Sequence, residues 1–239
     1  MSGPTLGWTP RQRPPRKPLE GRFIRLEPLD PARHAADQFA AHRAGDPKGL
    51  LWAHLPYGPF DTLEDYTEHL ARQAASEDPL FFALVSKDDG KAGGVMSLMR
   101  ISPEHGVAEV GHICLAPGMR RTPGGTEAIR LFGGLLFDEL GYRRFEWKCD
   151  NANQASRRAA SRFGFAFEGV FRQHMVVKDR NRDTAWFAMT DADWPRLRSA
   201  MDAWLSPDNF DARGHQRQSL EALQAAAHGD RERPTGVVL

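Results

Sequence analysis

The spacing of apolar and polar positions divides the chain into short blocks of alternating kind. In "RFIRLEPL", Ile24 and Leu26 alternate with Arg25 and Glu27, the two-residue period of an edge strand. Asp30 and Pro31 then suit the cap and first turn of a helix through "DPARHAADQFAAHR". A Gly/Pro-rich stretch around Trp52, Pro56, Tyr57, Gly58 and Pro59 reads as a loop. Thr62 opens a second helix, with Leu63, Tyr66, Leu70 and Ala74 at helical spacing and Asp65 as a short stand-in for a capping-box glutamate. "LFFALVS", "AGGVMSLMRIS" and "GVAEVGHICL" follow as three strands with short connections, "KDDGK" being a hairpin turn. Beyond "MRRTPGGTE", Ile129, Phe132, Leu136 and Leu140 mark one face of a helix that stops at Gly141. "RRFEWKC" predicts a strand and "NQASRRAASRFG" a helix ending at Gly164. "FAFEGVFRQ" and "TAWFAM" predict a strand pair around the polar turn "KDRNRD", and a helix spans about 191–204.

This order predicts a mixed α/β fold, with a largely antiparallel central sheet and helices on both faces. One domain over 19–205 accounts for it. Residues 1–18 form an extended Pro/basic arm with a lone Trp8, and 206–239 a C-terminal helix and polar tail. With so little apolar surface, the arm is expected to be removable without unfolding the core.

Charge narrows the partners. Thirty-two basic side chains balance 31 acidic ones, so the chain has no broad field for duplex nucleic acid or an anionic membrane. No apolar run approaches the ~20 residues of a bilayer span, and no apolar signal core follows the basic start. A cytoplasmic location is the expectation. Cys114 and Cys149 fall on strands and read as reduced, buried thiols. His112 with Cys114 has a metal-like look, but two ligands on one strand without a second pair make a poor zinc site; no metal is expected.

The chemistry concentrates in "MRRTPGGTE". Adjacent glycines can turn several N–H groups toward one point, and the helix that follows adds its positive dipole end. Arg120 and Arg121 add forked donors suited to phosphate oxygens. The chain has neither a Gly-Lys-Ser/Thr terminus nor a G-x-G, so neither a P-loop nor a Rossmann fingerprint is present. A phosphate cradle between a strand and a helix is what is left.

Here a family likeness enters. "GHICLAPGMRRTPGGTEA", then "LGYRRFEWKCDNANQASRRAASRFGFAFEGVFR", resembles the acetyl-coenzyme A-binding core of the GNAT N-acetyltransferase superfamily. Within it, the likeness is closest to the branch of the ribosomal-protein N-terminal acetyltransferases, and it covers about 23–189. Against the family's Q/R-x-x-G-x-G/A motif, Arg120 takes the first position and Gly125 the last, while Pro123 replaces the first glycine. That removes one N–H donor and shifts the grip toward Gly124, Gly125 and Thr126. Asn153, Ser156, Gly164 and Phe165 match a second motif, N-x-x-S/A followed by a helix and Gly-Phe.

The resemblance implies transfer of an acetyl group from acetyl-CoA to an amine, either a small molecule or a protein N-terminus. It implies backbone contacts from Ile113, Cys114 and Leu115 on a splayed strand, with Gly111 placed to permit the splay. Arg120, Arg121, Gly124, Gly125, Thr126 and Asn153 would hold the cofactor, and a homodimer is compatible. Many relatives carry a tyrosine four residues before the helix-ending glycine; here that residue is Ala160. Ser156 either lies near the thioester sulfur or only caps its own helix. Two groups compete as general base. Glu109 shares a face with Gly111 and Ile113, while His112 points the other way unless a bulge resets the register. Trp52, Tyr57 and Phe60 either line an acceptor pocket or anchor their loop, and Trp147, Phe163, Phe165 and Phe167 read as core. Arg157, Arg158 and Arg162 either reach phosphates or solvate a helix face. The competing reading is a non-catalytic acyl-CoA-binding module, supported by Pro123 and the missing tyrosine.

Overall fold

The structure is a computed structural model that describes residues 6–227. The strands are β1 (Leu19–Glu20), β2 (Ile24–Pro28), β3 (Leu80–Ser86), β4 (Ala92–Ser102), β5 (Val107–Leu115), β6 (Arg144–Asp150), β7 (Ala166–Val177) and β8 (Arg180–Thr190). The helices are α1 (Pro31–Gly45), α2 (Leu63–Ala75), α3 (Pro123–Gly133), α4 (Gln154–Arg162), α5 (Trp194–Leu205) and α6 (Leu220–Ala226). All eight strands join one sheet in the order β1-β2-β3-β4-β5-β6-β8-β7. Every neighbouring pair is antiparallel except β5 and β6, which run parallel. The predicted class therefore holds. Short β1 covers β2, so β2 is not the edge that its alternation suggested.

Strand alternation sorts the core into two layers. Phe82, Leu84, Met96, Leu98, Val110 and Trp147 face one side, in a cluster with Ile129, Phe132 and Leu136 of the α3 segment and Trp194 and Leu197 of α5. Phe81, Ala83, Val85 and Val95 face the other, beneath Ala35 of α1 and Tyr66 and Leu70 of α2. Asp30 accepts the Ala32 N–H at the start of α1, and Thr62 accepts the Asp65 N–H at the start of α2. After Gly133, α3 continues as a π-helical turn, Gly134–Glu139. The strands absorb most of "KDRNRD", leaving a turn of Lys178 and Asp179, both left-handed. Phe167 is 52% exposed because β7 is the outermost strand, so it is not the core residue that its pattern suggested.

Both flanking segments pack on the rest. The arm is extended, yet Trp8 Nε1 donates to Glu104 O at 2.7 Å and its ring lies over Gly106, leaving no room there for a Cβ. Arg16 donates to Ala74 O (2.7 Å) and Ser76 O (2.6 Å), closing the C-terminal end of α2. At the other end Leu220 of α6 is fully buried in the larger cluster, and Trp204 Nε1 donates to Gln216 Oε1 at 2.8 Å. The predicted tail beyond residue 227 lies outside the described residues.

One carboxylate ties α3 to the first strands. Glu127, nearly buried, accepts the N–H groups of Arg22 (2.6 Å), Phe23 (2.7 Å) and Ile24 (2.8 Å). Glu127→Ala strands three donors in a region with little water. Each orphaned donor costs about 1–3 kcal/mol, so urea unfolding is expected to show a loss of roughly 3 kcal/mol or more. A midpoint equal to wild type would show that the turn at Gly21 does not depend on this carboxylate.

Candidate active site

The site begins where two parallel strands part. β5 and β6 pair from Val107 opposite Arg144 to Val110 opposite Trp147, and no further. β5 nevertheless runs on to Leu115 and β6 to Asp150. On its other edge β5 stays with β4, pairing Gly111 with Ser97, Cys114 with Val95 and Leu115 with Gly94. The β6-facing edge of 111–115 is thus left without a strand partner, as the backbone contacts expected of Ile113, Cys114 and Leu115 require. From Ser97 to Val95 β4 takes two steps, while β5 takes three from Gly111 to Cys114. The extra residue is a β-bulge. His112, with φ of 50°, holds the left-handed position; Gly111, where the splay was expected to be permitted, instead leaves room for Met99 Sδ.

The bulge decides which side chains share a face. It puts His112 on the same side as Gly111, against Phe81 at 5.1 Å between ring centroids. Glu109 and His112 therefore both face the side of the sheet that carries α1 and α2. His112 Nδ1 lies 3.0 Å from the Tyr57 hydroxyl, with the two rings parallel within 5°. Burial holds the His112 pKa below the usual imidazole value, so the ring is neutral at pH 7. Among the described residues, the His112 side-chain hydrogen bond is the one at Nδ1, and Nε2 makes none.

The loop before α2 divides its aromatic residues between two tasks. Trp52 is buried against Phe60, Tyr66 and His42 and anchors the loop, whereas Tyr57 reaches the site. The β7–β8 turn holds the loop from across the gap. Lys178 Nζ donates to the carbonyl oxygens of Trp52 (3.0 Å), Gly58 (3.1 Å) and Tyr57 (3.3 Å). His54 meets Asp150, the last residue of β6, at 3.3 Å. Neither Lys178 nor His54 stood out in the sequence, where one sat in a polar turn and the other in a loop.

Glu109 is buried in a charge cluster. Lys148 Nζ stands 2.9 Å from Glu109 Oε2 and 2.8 Å from Glu146 Oε2, over the Trp186 ring at 3.6 Å. The Arg100 guanidinium adds a contact to Glu109 at 3.5 Å. Burial pushes the Glu109 pKa up, and Lys148 and Arg100 act against it. Lys148 was legible only through alternation, which sends Arg144, Glu146 and Lys148 to one face of β6.

The glycine turn starts α3, and no side chain caps that helix. Gly125 opens on empty space, with nothing within 4 Å of where a Cβ would stand; at Gly124 a Cβ would press Ile24 Cγ2 at 2.7 Å. Gly125 thus faces the cradle, and Gly124 owes its place first to packing against β2. Thr126 is buried, its hydroxyl accepts from Arg162 at 2.9 Å, and its N–H is the first to be used within the helix, so the free donors of this turn belong to the residues before it. Arg162 also stacks on Trp204, which takes it away from phosphate binding. Arg120 Nε donates to Leu115 O at 3.0 Å, linking cradle to splayed strand, and Arg121 is left-handed.

Across the gap, Asn153 caps α4 by accepting the Ser156 N–H at 3.0 Å. Ser156 is therefore not the cap. Its hydroxyl accepts the Trp147 Nε1–H at 3.0 Å, and Trp147 is the last β6 residue paired with β5. The hydroxyl keeps its own proton, with the buried Cys149 thiol of β6 beside it as a partner. Cys114, beside His42 at 3.9 Å, is fully buried, which pushes its thiol pKa well up. Among the described residues no three or more His, Cys, Asp or Glu side chains group as metal ligands, and no helix is long and apolar enough to cross a membrane.

Known proteins share this fold. The family described as "Acetyltransferase (GNAT) domain" matches residues 24–166. No curated protein matches the chain significantly. A GCN5-related N-acetyltransferase from Brucella melitensis is 48% identical, with a TM-score of 0.90 over 92% of this chain and 100% of that one. A GNAT-family protein from Chromobacterium violaceum is 42% identical, with a TM-score of 0.74 over 82% and 96%. The microcin C7 self-immunity acetyltransferase MccE, solved with acetyl-CoA and AMP, shares the fold at 20% identity, with a TM-score of 0.62 over 71% and 93%. With a family match over more than half of its length and a near-full-length relative at 48% identity, the chain belongs to the GNAT acetyltransferase family.

Proposed function

We propose that this acetyltransferase uses acetyl-CoA to acetylate a primary amine, with His112 as general base and Ser156 as proton donor to the leaving thiolate. The acceptor is a protein N-terminus, as in the ribosomal-protein branch that the motifs resemble, or a small-molecule amine. One observation carries the reading: His112 and Ser156 belong to the two strands' own borders of the β5–β6 gap, one on the bulge and one bonded to Trp147 at the vertex. The donor's pyrophosphate fits the uncapped start of α3 at Gly125, and its pantetheine arm fits the unpaired edge of 111–115. That MccE was solved with acetyl-CoA supports the same donor here.

Proton traffic follows from these positions. The amine nitrogen attacks the thioester carbonyl carbon, the C–S bond breaks, and the amine proton passes to His112 Nε2. The thiolate takes the Ser156 proton, which solvent restores. Glu109 is the poorer base, because Lys148 and Arg100 already neutralise its carboxylate. A non-catalytic module would have no need of a serine hydroxyl held at the vertex by an indole N–H.

Three variants test this reading. Arg120→Ala combined with Gly125→Val removes a cation and pushes a side chain into the open cradle. Calorimetry is expected to show acetyl-CoA affinity falling at least tenfold with the melting temperature close to wild type; unchanged affinity refutes the cradle. Ser156→Ala is expected to lower turnover by ~10²-fold at unchanged acetyl-CoA affinity, the lower end of what a general acid contributes. Wild-type turnover on any accepted amine would move the acid role to water.

The third variant separates Glu109 as electrostatic floor from Glu109 as base. Lys148→Met leaves two buried carboxylates short of a partner, at about 3 kcal/mol near neutral pH. Glu109 has a folded-state pKa raised above 4.5, so its protonation favours the folded state as pH falls. The variant is expected to regain stability on acidification toward that raised value and to lose it again as pH rises through it. A deficit that does not change between pH 7 and pH 5 would show that Lys148 supports packing rather than charge.

A further inference from the structure

If His112 is the base, its two nitrogens have to be kept in different states. Nδ1 faces the Tyr57 hydroxyl at 3.0 Å, while Nε2 makes no hydrogen bond among the described residues. Two proton arrangements satisfy that contact. In one, Tyr57 donates to Nδ1 and the imidazole proton sits on Nε2, so no lone pair faces the gap. In the other, Nδ1–H donates to the Tyr57 oxygen and Nε2 is free to accept. We propose that Tyr57 is a positioning residue which holds His112 as the Nδ1–H tautomer and keeps Nε2 ready for the amine proton. The inference rests on the reading of His112 as base.

Two features support the second arrangement. An imidazolium donates from both nitrogens, so the Nδ1–H bond to Tyr57 survives protonation at Nε2 and needs no rearrangement during the reaction. The ring plane is also held in place, parallel to Tyr57 and against Phe81.

The neighbours do not compete for the role. The titratable groups facing this ring are Tyr57 from the loop, His69 from α2 and Cys114 from β5. Burial holds the Tyr57 and Cys114 pKa values well above their usual ranges and lowers that of His69 to about 4. All three are neutral at pH 7. The nearest formal charges are spoken for: Glu109 on β5 pairs with Lys148, and Lys178 of the β7–β8 turn bonds the loop carbonyls. A neutral acceptor is thus what sets the tautomer here, in a place where a carboxylate would raise the imidazole pKa further.

Long-range ¹H–¹⁵N spectra of the intact ligand-free protein read the tautomer directly, with the His112 signals assigned by their absence in His112→Ala. Wild type is expected as Nδ1–H, and Tyr57→Phe as mixed or Nε2–H. In kinetics with acetyl-CoA and any accepted amine, Tyr57→Phe is expected to lower kcat about tenfold, the size of one lost hydrogen bond. KM for acetyl-CoA should hold, and the acidic limb of the kcat profile should move to lower pH because the imidazolium loses its acceptor. The wild-type spectrum alone decides the proposal if Tyr57→Phe does not fold. An Nε2–H wild type, or an unchanged tautomer in Tyr57→Phe, overturns the proposal. Wild-type turnover in His112→Ala would overturn the base assignment instead and leave the tautomer result standing.

Discussion

The active-site geometry depends on one surplus residue in β5. The strand has to stay hydrogen-bonded to β4 along one edge and abandon β6 along the other after four paired positions. A regular strand cannot do both, because the twist that keeps one neighbour in register keeps the other. The bulge at Gly111–His112 resolves this by advancing β5 one residue relative to β4 and bending it away from β6. Three consequences come together: an unpaired backbone edge, a wedge between parallel strands, and a side chain turned onto a face that alternation would deny it. The left-handed His112 is the local strain that accompanies all three.

What surrounds the wedge fits that constraint. Beneath α1 and α2 the sheet face is apolar, but beyond β5 the same face carries Glu109, Glu146 and Lys148. Their charges are matched within the cluster, and Trp186 lies against the ammonium. Replacing such a cluster with apolar side chains would not necessarily weaken the fold. Its presence beside the wedge is better explained by what it does to the floor there, which stays polar without carrying an unpaired charge. Above it, the Tyr57 loop is fastened by the Lys178 ammonium across three carbonyl oxygens. Loop and hairpin, far apart in sequence, thereby act as one wall.

Much of this was legible in the sequence, for identifiable reasons. Hydrophobic periods of two and 3.6 placed the strands and helices, because burial on one face is what holds each element. The glycine turn was legible because adjacent glycines just before a helical pattern mark its start, and there Gly125 opens on empty space. Asn153 and Ser156 were legible as a pair, yet their tasks were separated only by coordinates: one caps, the other meets Trp147. The bulge could be posed as a condition on His112 but not decided, since nothing local reveals which residue will take positive φ. Contacts over long separations were not legible at all. Trp8 on Gly106, Arg16 on the end of α2 and Leu220 in the core each join segments that local pattern treated as separate.

Ala160 shows how the two halves of the chemistry are balanced. A tyrosine at that place would need room beside α4, and the residue here is a fully buried alanine packed in the main cluster. The polar group nearest the vertex is instead Ser156, whose oxygen receives an indole N–H. That bond withdraws electron density from the hydroxyl and fixes its direction, two things a freely rotating serine lacks. A phenol is present after all, but it comes from the loop and faces His112. On the proposed reading, the same two kinds of group that the reaction needs are retained with their sides exchanged: a hydroxyl on α4 for the leaving thiolate, and a phenol behind the base. Such an exchange is possible because the wedge fixes where protons must arrive and leave, while leaving open which side chain is placed at each position.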